Sequence, residues 1–525
     1  VIWLDAMPVN LSNDEISIAY DSYSVSKTLR DEHDHFLPIS FQSHNTYKAP
    51  LTIYLSIPFI KIFGNNDYGI RLLSVITGTL TVVFLGLLVY ELTKNKFLSL
   101  IASMTLAITP WHIYTSRMIL EANIALFFVV LGVYLFYRAI TKQSKLIFSF
   151  SFVSFCLSMY AYHTEWVFTP LLILGLILIN FKRIKDKEFI ICGFIAFILL
   201  SSPLFVDAVI FPSATRRSSS EFFLNDLSIH NYLSNRSYNV FQKSAIIVKR
   251  VFDNYSQYLN LGNLFFNGLD LNVFLSDYRM RIVNPPIPVG LFLFTFLPFF
   301  FLGLINIKNI FKENYKYILI WAVLSPLVPA LTLGGVNSVR YLVAVAPFSI
   351  IIAGGFWIFW RKFESRFIRI LVIVIIFLSF IYVAFSYFQY GVGSRYNYLY
   401  NYKEITNYIK SNYNKYDRIV VDSKFGDDYD LYGVPHLYIG FYDKIDPAVF
   451  LKTKRTDSTS LYFDKFETTS IDWVKEASKS GEPIKSLLIA PISNHPKDIL
   501  KAKFNVLKVI YFPNNSPAFY IYTLK

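Results

Sequence analysis

The sequence predicts a polytopic α-helical membrane protein that ends in a small soluble α/β domain. Of its 525 residues 54% are hydrophobic and the mean hydropathy is +0.42, which argues against a soluble enzyme of this length. Apolar stretches of helical length recur about ten times before residue 390. From Gly391 the composition turns polar, and short β-rich runs alternate with amphipathic ones.

The net charge of +14 comes from Lys and Arg lodged between apolar segments. Membrane topology requires that pattern, so no nucleic-acid partner is inferred. Cys156 and Cys192 both sit in apolar runs, where a thiol behaves as a small hydrophobe, and two such residues make no disulfide or zinc framework.

In chain order, residues 1–62 read as a first outer loop with interfacial helices. One helix is expected after Asn13, capped by Asn13 or Asp14, with Ile16, Ala19, Tyr20 and Tyr23 on one face. A second follows Pro50 and is interrupted by Pro58. Residues 63–206 read as an N-terminal transmembrane core with apolar segments near 70–91, 97–112, 122–137, 146–162, 166–181 and 189–206. Residues 207–286 form a large outer loop whose Phe222, Phe223, Tyr232, Tyr238, Tyr255 and Tyr258 suit sugar stacking or the headgroup zone equally. Residues 287–390 add segments near 287–305, 317–333, 341–360 and 367–388. The chain opens at Val1, directly on the polar loop, so either one further helix is expected before it or the loop is tethered only from its C-terminal side.

Residues 391–525 read as the soluble α/β domain. Helices are expected at 402–413, 471–480 and 496–503, and strands at 418–422, 436–440, 486–490, 506–512 and 519–523. No glycine-rich phosphate loop follows any of these strands.

Orientation comes from the connecting loops. Lys94 and Lys96, Arg138 to Lys145, Lys182 to Lys187, Lys308 to Lys316 and Arg361 to Arg369 load alternate loops with cations, which places those loops in the cytoplasm. The first loop, the large loop and the C-terminal domain then share the outer face of the plasma membrane.

Ionisable residues at that outer level are candidates for chemistry, because charge beside a bilayer is costly. Asp14 and Glu15 stand at a helix start, where capping alone explains many acids. Lys48, Arg117 and Arg340 are cations at the same level, each able either to meet a phosphate or to anchor the interface. A carboxylate facing several cations suits a reaction in which a hydroxyl loses a proton while a phosphate leaves. Tyr47, Glu121 and His163 are possible supports. His33, Asp34, His35 and His44 invite a metal reading, but their spacing fits solvated loop residues better. No metal ligand is assigned.

The order Asp14-Glu15, Arg30-Asp31-Glu32-His33, Phe36-Leu37-Pro38, Tyr47-Lys48-Ala49-Pro50-Leu51, Tyr68-Gly69-Ile70-Arg71, Pro110-Trp111-His112 and Ser116-Arg117 resembles the GT-C glycosyltransferases. The groups it is most similar to are the dolichyl-phosphate-mannose protein mannosyltransferase-like proteins and the lipid A aminoarabinose transferases. The resemblance covers the membrane region, is strongest in the first 140 residues or so, and fades in the C-terminal domain.

That resemblance implies a polyprenyl-phosphate-linked sugar as donor and a protein, lipid or glycan acceptor at the outer face of the bilayer. It further implies transfer of a hexose or pentose in one inverting displacement. By position, Asp14 would act on the acceptor and Lys48 on the lipid phosphate. Some relatives carry an acid where Tyr47 stands, so no cofactor is assigned and a divalent cation is left open. Two other classes compete: a transporter or flippase of lipid-linked sugars, and a polysaccharide ligase or polymerase. Ionisable groups gathered at one face, with no internal repeat, favour transfer chemistry.

Overall fold

The structure, a computed structural model, describes residues 3–6, 10–43, 46–184, 187–210, 222–225, 229, 234, 239–267, 289–333, 335–393, 401–424, 433–452, 461–479, 483–496, 502–512 and 515–525. His44, Tyr232, Tyr238 and most of the helix expected at 496–503 lie outside these residues.

Helices α1 (Asn13–Thr28) and α2 (Pro50–Phe63) flank a hairpin of β1 (Phe41–Ser43) and β2 (Thr46–Lys48). The apolar half follows as α3 (Asp67–Thr93), α4 (Lys96–Ala107), α5 (Pro110–Arg117), α6 (Glu121–Lys142), α7 (Lys145–Ala161), α8 (Glu165–Asn180) and α9 (Lys187–Ile210). Beyond them lie α10 (Val240–Tyr258), α11 (Leu297–Ile305), α12 (Tyr315–Leu324), α13 (Val345–Lys362) and α14 (Arg366–Gly393).

Among the described residues five helices are long and apolar enough to cross a membrane, and up to seven if each of two bent pairs is one span. Three shorter apolar helices, α2, α7 and α8, accompany them. Every apolar segment expected from the sequence contains helix. The two expected separately at 287–305 and 317–333 instead form one bent pair, with a 69° break between Ile305 and Ile307. There the Asn306 side chain donates back to the Leu302 carbonyl (2.9 Å), which helps to end the first half. Close approach of α11 to α13 depends on glycine. A Cβ on Gly303 would meet the Ile351 carbonyl oxygen at 1.8 Å, and one on Gly355 would meet that of Phe299 at 1.8 Å.

The C-terminal domain holds α15 (Tyr402–Asn412), β3 (Arg418–Val421), α16 (Pro435–Tyr442), β4 (Leu461–Phe463), β5 (Phe466–Thr468), α17 (Trp473–Ser478), β6 (Ser486–Pro491), β7 (Phe504–Tyr511) and β8 (Pro517–Leu524). Its sheet has the order β4-β5-β3-β6-β8-β7, with β3 parallel to both β5 and β6 and the remaining pairs antiparallel. Segment 436–440, expected as a strand, is helix α16. Pro435 sits in its first turn, where a missing N–H costs nothing, and the helix packs against α1 rather than joining the sheet.

That packing changes the status of α1. The sequence gives it one apolar face, yet every residue from Glu15 to Val25 is buried, Ser17, Asp21, Ser22 and Ser24 included. Helix α2 lies on one side and the C-terminal domain on the other, with Tyr20 against Phe450 (5.1 Å between ring centroids). At the far end of α1 the Tyr23 hydroxyl donates to the Lys444 carbonyl (3.0 Å). The first loop and the C-terminal domain therefore lie on the same side of the apolar half. The large loop is tied to that half through α10, where the hydroxyls of Tyr255 and Tyr258 donate to the carbonyls of Val323 (2.9 Å) and Gly335 (3.0 Å).

Candidate functional site

The site starts at the N-terminus of α1. Ser12, rather than Asn13 or Asp14, caps the helix: its Oγ accepts from the Glu15 amide (3.2 Å), while Glu15 Oε2 accepts from the Ser12 amide (2.9 Å). The Glu15 carboxylate also accepts from Arg71 Nε (2.9 Å) and Nη2 (3.2 Å) and from the Ile119 amide (3.1 Å). Both Glu15 and Arg71 are fully buried. The rest of the Arg71 fork donates to the carbonyls of Leu4 (3.1 Å) and Asn10 (2.7 Å). Glu15 is thus occupied on all sides in fixing where α1 begins.

Asp14, the neighbour of Glu15, faces outward. Its side chain is 75% exposed, and Oδ1 lies 3.1 Å from Lys48 Nζ, whose own side chain is 3% exposed. Lys48 Nζ also donates to the Asp14 carbonyl (2.8 Å). The hairpin delivers this lysine, Lys48 standing opposite Phe41 in its register, and side chains alternate along β2, so Tyr47 points to the other face of the ribbon. Immediately after Lys48, the Ala49 amide donates to Glu121 Oε1 (2.8 Å), which joins the hairpin to the first residue of α6.

Arg117 reaches this assembly from α5. Its Nε donates to the Tyr387 hydroxyl (3.2 Å) and its Nη2 to the Trp3 carbonyl (3.2 Å), while its guanidinium lies over the rings of Tyr387 and Phe388. Two residues on, Ile119 bonds Glu15, so Arg117 is anchored to the same helix start. Arg340 belongs to another cluster. Its Nη1 donates to the Leu333 carbonyl (3.0 Å), and the adjoining Ser338 carbonyl accepts from Trp111 Nε1 (3.1 Å). His163 lies in the turn between α7 and α8 with its ring 5.4 Å from that of Trp166. The structure therefore brings Asp14, Lys48 and Glu121 together and links Arg117 to them through Ile119 and Glu15.

The first loop holds a second group of acids, which the sequence reading did not assign to the site, beside the histidines that it took as solvated. Asp31 is buried and accepts from the amides of His33 and His35 (2.9 Å each) and pairs with His35 Nδ1 (2.9 Å). Glu32 lies 3.3 Å from His33 Nε2 and 3.8 Å from His436 Nε2 of the C-terminal domain. Asp21 accepts from the Glu32 amide (3.1 Å). Its burial, and the carboxylates of Glu32 and Asp31 beside it, hold its carboxyl well above the usual range. Even so, among the described residues no group of three or more His, Cys, Asp or Glu is placed to hold a metal ion.

Sequence reasoning singled out neither Asp67 nor Arg71 as a site residue. Both are buried at the start of α3, where Asp67 accepts from the Tyr442 hydroxyl (2.5 Å) and pairs with Lys403 Nζ (3.3 Å). The signal was present: an acid and a base four apart in the first turns of a long apolar helix share a face and need partners.

The fold is a helical bundle with an acid-bearing first loop and a C-terminal domain packed on the same side. The chain shares it with ArnT from Cupriavidus metallidurans in the apo state, at a TM-score of 0.54 and 11% identity over 97% of this chain and 93% of that one. ArnT from the same organism bound to undecaprenyl phosphate gives 0.52 at 10% identity over the same shares, 97% and 93%. The Archaeoglobus fulgidus oligosaccharyltransferase in complex with Zn and sulfate gives 0.52 at 12% identity, over 99% of this chain and 71% of that one.

Residues 2–212 match the family model of the dolichyl-phosphate-mannose-protein mannosyltransferases. A curated protein of Aquifex aeolicus (strain VF5), named only "Uncharacterized protein", is 29% identical over 101 residues, which are 19% of this chain and 20% of that protein's length. The resemblance to GT-C glycosyltransferases, read from the membrane region and strongest in its first 140 residues or so, is thus joined by a likeness of fold over nearly the whole chain.

Proposed function

We propose that this chain is an integral-membrane glycosyltransferase that moves a sugar from a polyprenyl-phosphate donor to an acceptor hydroxyl at the outer face of the plasma membrane. The observation that carries the reading is the Asp14–Lys48 pair: a buried ammonium whose partner carboxylate opens to solvent at the mouth of the first loop. ArnT, whose fold this is, has been captured with undecaprenyl phosphate, which supports a lipid phosphate as part of the donor.

A donor phosphate arriving at Lys48 takes over the ammonium, and the solvent-facing Asp14 carboxylate then turns to the acceptor. In the displacement Asp14 removes the acceptor's hydroxyl proton and the acceptor oxygen bonds to the anomeric carbon. The bond from that carbon to the phosphate oxygen breaks, and the polyprenyl phosphate departs with the electron pair. Phosphate is already a competent leaving group, so alignment and charge neutralisation carry most of the rate enhancement. Lys48 supplies the charge at the leaving group and Arg117 adds to it, with Arg340 and His163 as further lining of the outer face. Glu121 holds the backbone beside Lys48, and Glu15 holds the helix that carries Asp14. Tyr47 has a supporting place on the same hairpin.

The test is transfer from radiolabelled undecaprenyl-phosphate hexose and pentose donors by the purified full chain in nanodiscs. Loss of transfer in Asp14→Asn, with the thermal stability of the parent kept, supports the reading. Transfer at the parent rate in that variant removes Asp14 from the reaction.

A further inference from the structure

The C-terminal domain is linked to the proposed site by polar contacts made at two successive turns of α3. From its side, the Tyr442 hydroxyl (2.5 Å) and Lys403 Nζ (3.3 Å) meet the two carboxylate oxygens of Asp67. One helical turn along α3, Arg71 binds Glu15, which caps α1 one residue from Asp14. A second tie bypasses α3: the Tyr438 hydroxyl donates to the Leu11 carbonyl (2.5 Å), immediately before the capping Ser12. The Tyr438 ring is stacked between those of Tyr402 (4.8 Å) and Tyr442 (6.2 Å), so its hydroxyl has little freedom.

Both routes end on the stretch Leu11–Glu15, and that stretch sets where Asp14 projects. A hydrogen bond to a buried carboxylate or carbonyl fixes direction as well as distance, and the Tyr438 ring is itself fully buried. We propose that the C-terminal domain is a working part of the active site, with Tyr438 and Tyr442 acting as positioning residues that hold the N-terminus of α1, and so Asp14, against Lys48. This rests on the glycosyltransferase reading for the role of Asp14, while the mechanical linkage stands on the contacts alone.

The interface supplies its own control. Tyr23 makes a hydrogen bond of the same kind to the same domain, but at the opposite end of α1 from Asp14. If the domain only stabilises the first loop, Tyr23→Phe, Tyr438→Phe and Tyr442→Phe behave alike. If it positions Asp14, only the last two disturb the site.

Two readouts are taken on the full chain in nanodiscs. In the first, a nitroxide is attached at Asp14→Cys in a background of Cys156→Ala and Cys192→Ala. The expected result is a more mobile line shape on adding Tyr438→Phe or Tyr442→Phe and none on adding Tyr23→Phe. In the second, with Asp14 intact, Tyr438→Phe and Tyr442→Phe are expected to lower kcat by about 10- to 100-fold, with KM for the undecaprenyl-phosphate sugar within about 2-fold. Tyr23→Phe is expected to match the parent. Increased mobility with unchanged kcat upholds the linkage and sinks the catalytic role of Asp14. An unchanged line shape in all three variants overturns the positioning proposal, whatever happens to kcat.

Discussion

Lys48 Nζ lies 3.1 Å from the carboxylate of Asp14 and 2.8 Å from its backbone carbonyl, so one buried ammonium reads both the side chain and the main chain of a single residue. The carbonyl contact survives when the carboxylate is neutralised. Asp14→Asn should therefore leave Lys48 in place and the thermal unfolding temperature nearly unchanged, while transfer falls by about 10²- to 10⁴-fold, the usual worth of a positioned base. Lys48→Met removes the cation from the donor's side and should raise KM for the donor as well as lowering kcat. Side-by-side kinetics of the two variants check the division of labour.

Glu121 offers a finer contrast. Its Oε1 accepts from the Ala49 amide (2.8 Å). Glu121→Gln keeps an oxygen acceptor there, whereas Glu121→Ala leaves that amide without one, at a cost of about 1–3 kcal/mol if water does not replace it. The Gln variant should retain most of the parent's activity and stability, and the Ala variant should lose both. Equal loss in the two would mean that the charge of Glu121, rather than its grip on the hairpin, is what matters.

Glu15 and Arg71 form a buried ion pair, and the Arg71 guanidinium also donates to the carbonyls of Leu4 and Asn10. Removing one partner strands the other charge, which costs about 3–5 kcal/mol. Arg71→Met is expected to express poorly or to unfold well below the parent, and Glu15→Met to do the same. The double variant should recover part of the loss, because an apolar pair of similar volume strands no charge. Thermal scans of the three variants decide it.

Much of this arrangement is legible in the sequence, and the parts that are not share a cause. Asp14 and Lys48 stand out because charge beside a bilayer is costly, although helix capping and interface anchoring would also account for them. Residues Ser12 and Glu15 carry the spacing of a capping box, and that spacing explains Glu15 without catalysis. The helical nature of 435–442 is hidden, since its apolar residues suit either period and only its packing on α1 chooses between them. Likewise Asp67 can be seen as costly in an apolar helix, but nothing local says that its partners, Tyr442 and Lys403, come from a domain more than 300 residues away.

Asp21 leads to a pH prediction. Burial and the neighbouring carboxylates of Glu32 and Asp31 raise its pKa, with Lys48 opposing them, so the folded chain holds this proton more tightly than the unfolded one does. The stability it contributes is complete below the unfolded value of about 4 and is lost as pH rises through the folded value. Its Oδ1 accepts from the Glu32 amide, a bond that an asparagine keeps. Asp21→Asn should therefore raise the unfolding temperature by a few degrees at pH 8 and make little difference near pH 4. The comparison is made between the two proteins at each pH rather than along one curve.

Asp422, at the end of β3, shows why a raised pKa alone does not decide the outcome of the same substitution. Burial lifts its carboxyl to about 6 against the pull of its hydrogen bonds, so it too favours folding less as pH rises from about 4 through about 6. Its oxygens, however, are fully engaged. Oδ1 accepts from the Lys424 amide (2.8 Å), and Oδ2 accepts from the Ile471 amide (3.1 Å) and from the Asn494 side-chain amide. An asparagine must put either its oxygen or its NH2 at Oδ2, and placing the NH2 there sets a donor against two donors. Asn494 cannot turn to oblige, because its own oxygen accepts from Trp473 Nε1 (3.2 Å) and its NH2 also serves the Ile471 carbonyl (3.2 Å). Placing the oxygen at Oδ2 instead abandons the Lys424 amide to a second donor. Each buried group left unpaired costs about 1–3 kcal/mol, which offsets or exceeds the relief of removing a buried charge. Asp422→Asn is therefore expected to lower the unfolding temperature of the C-terminal domain at pH 7, opposite in sign to Asp21→Asn, and a thermal scan that finds both variants stabilised would refute this account of the Asp422 site.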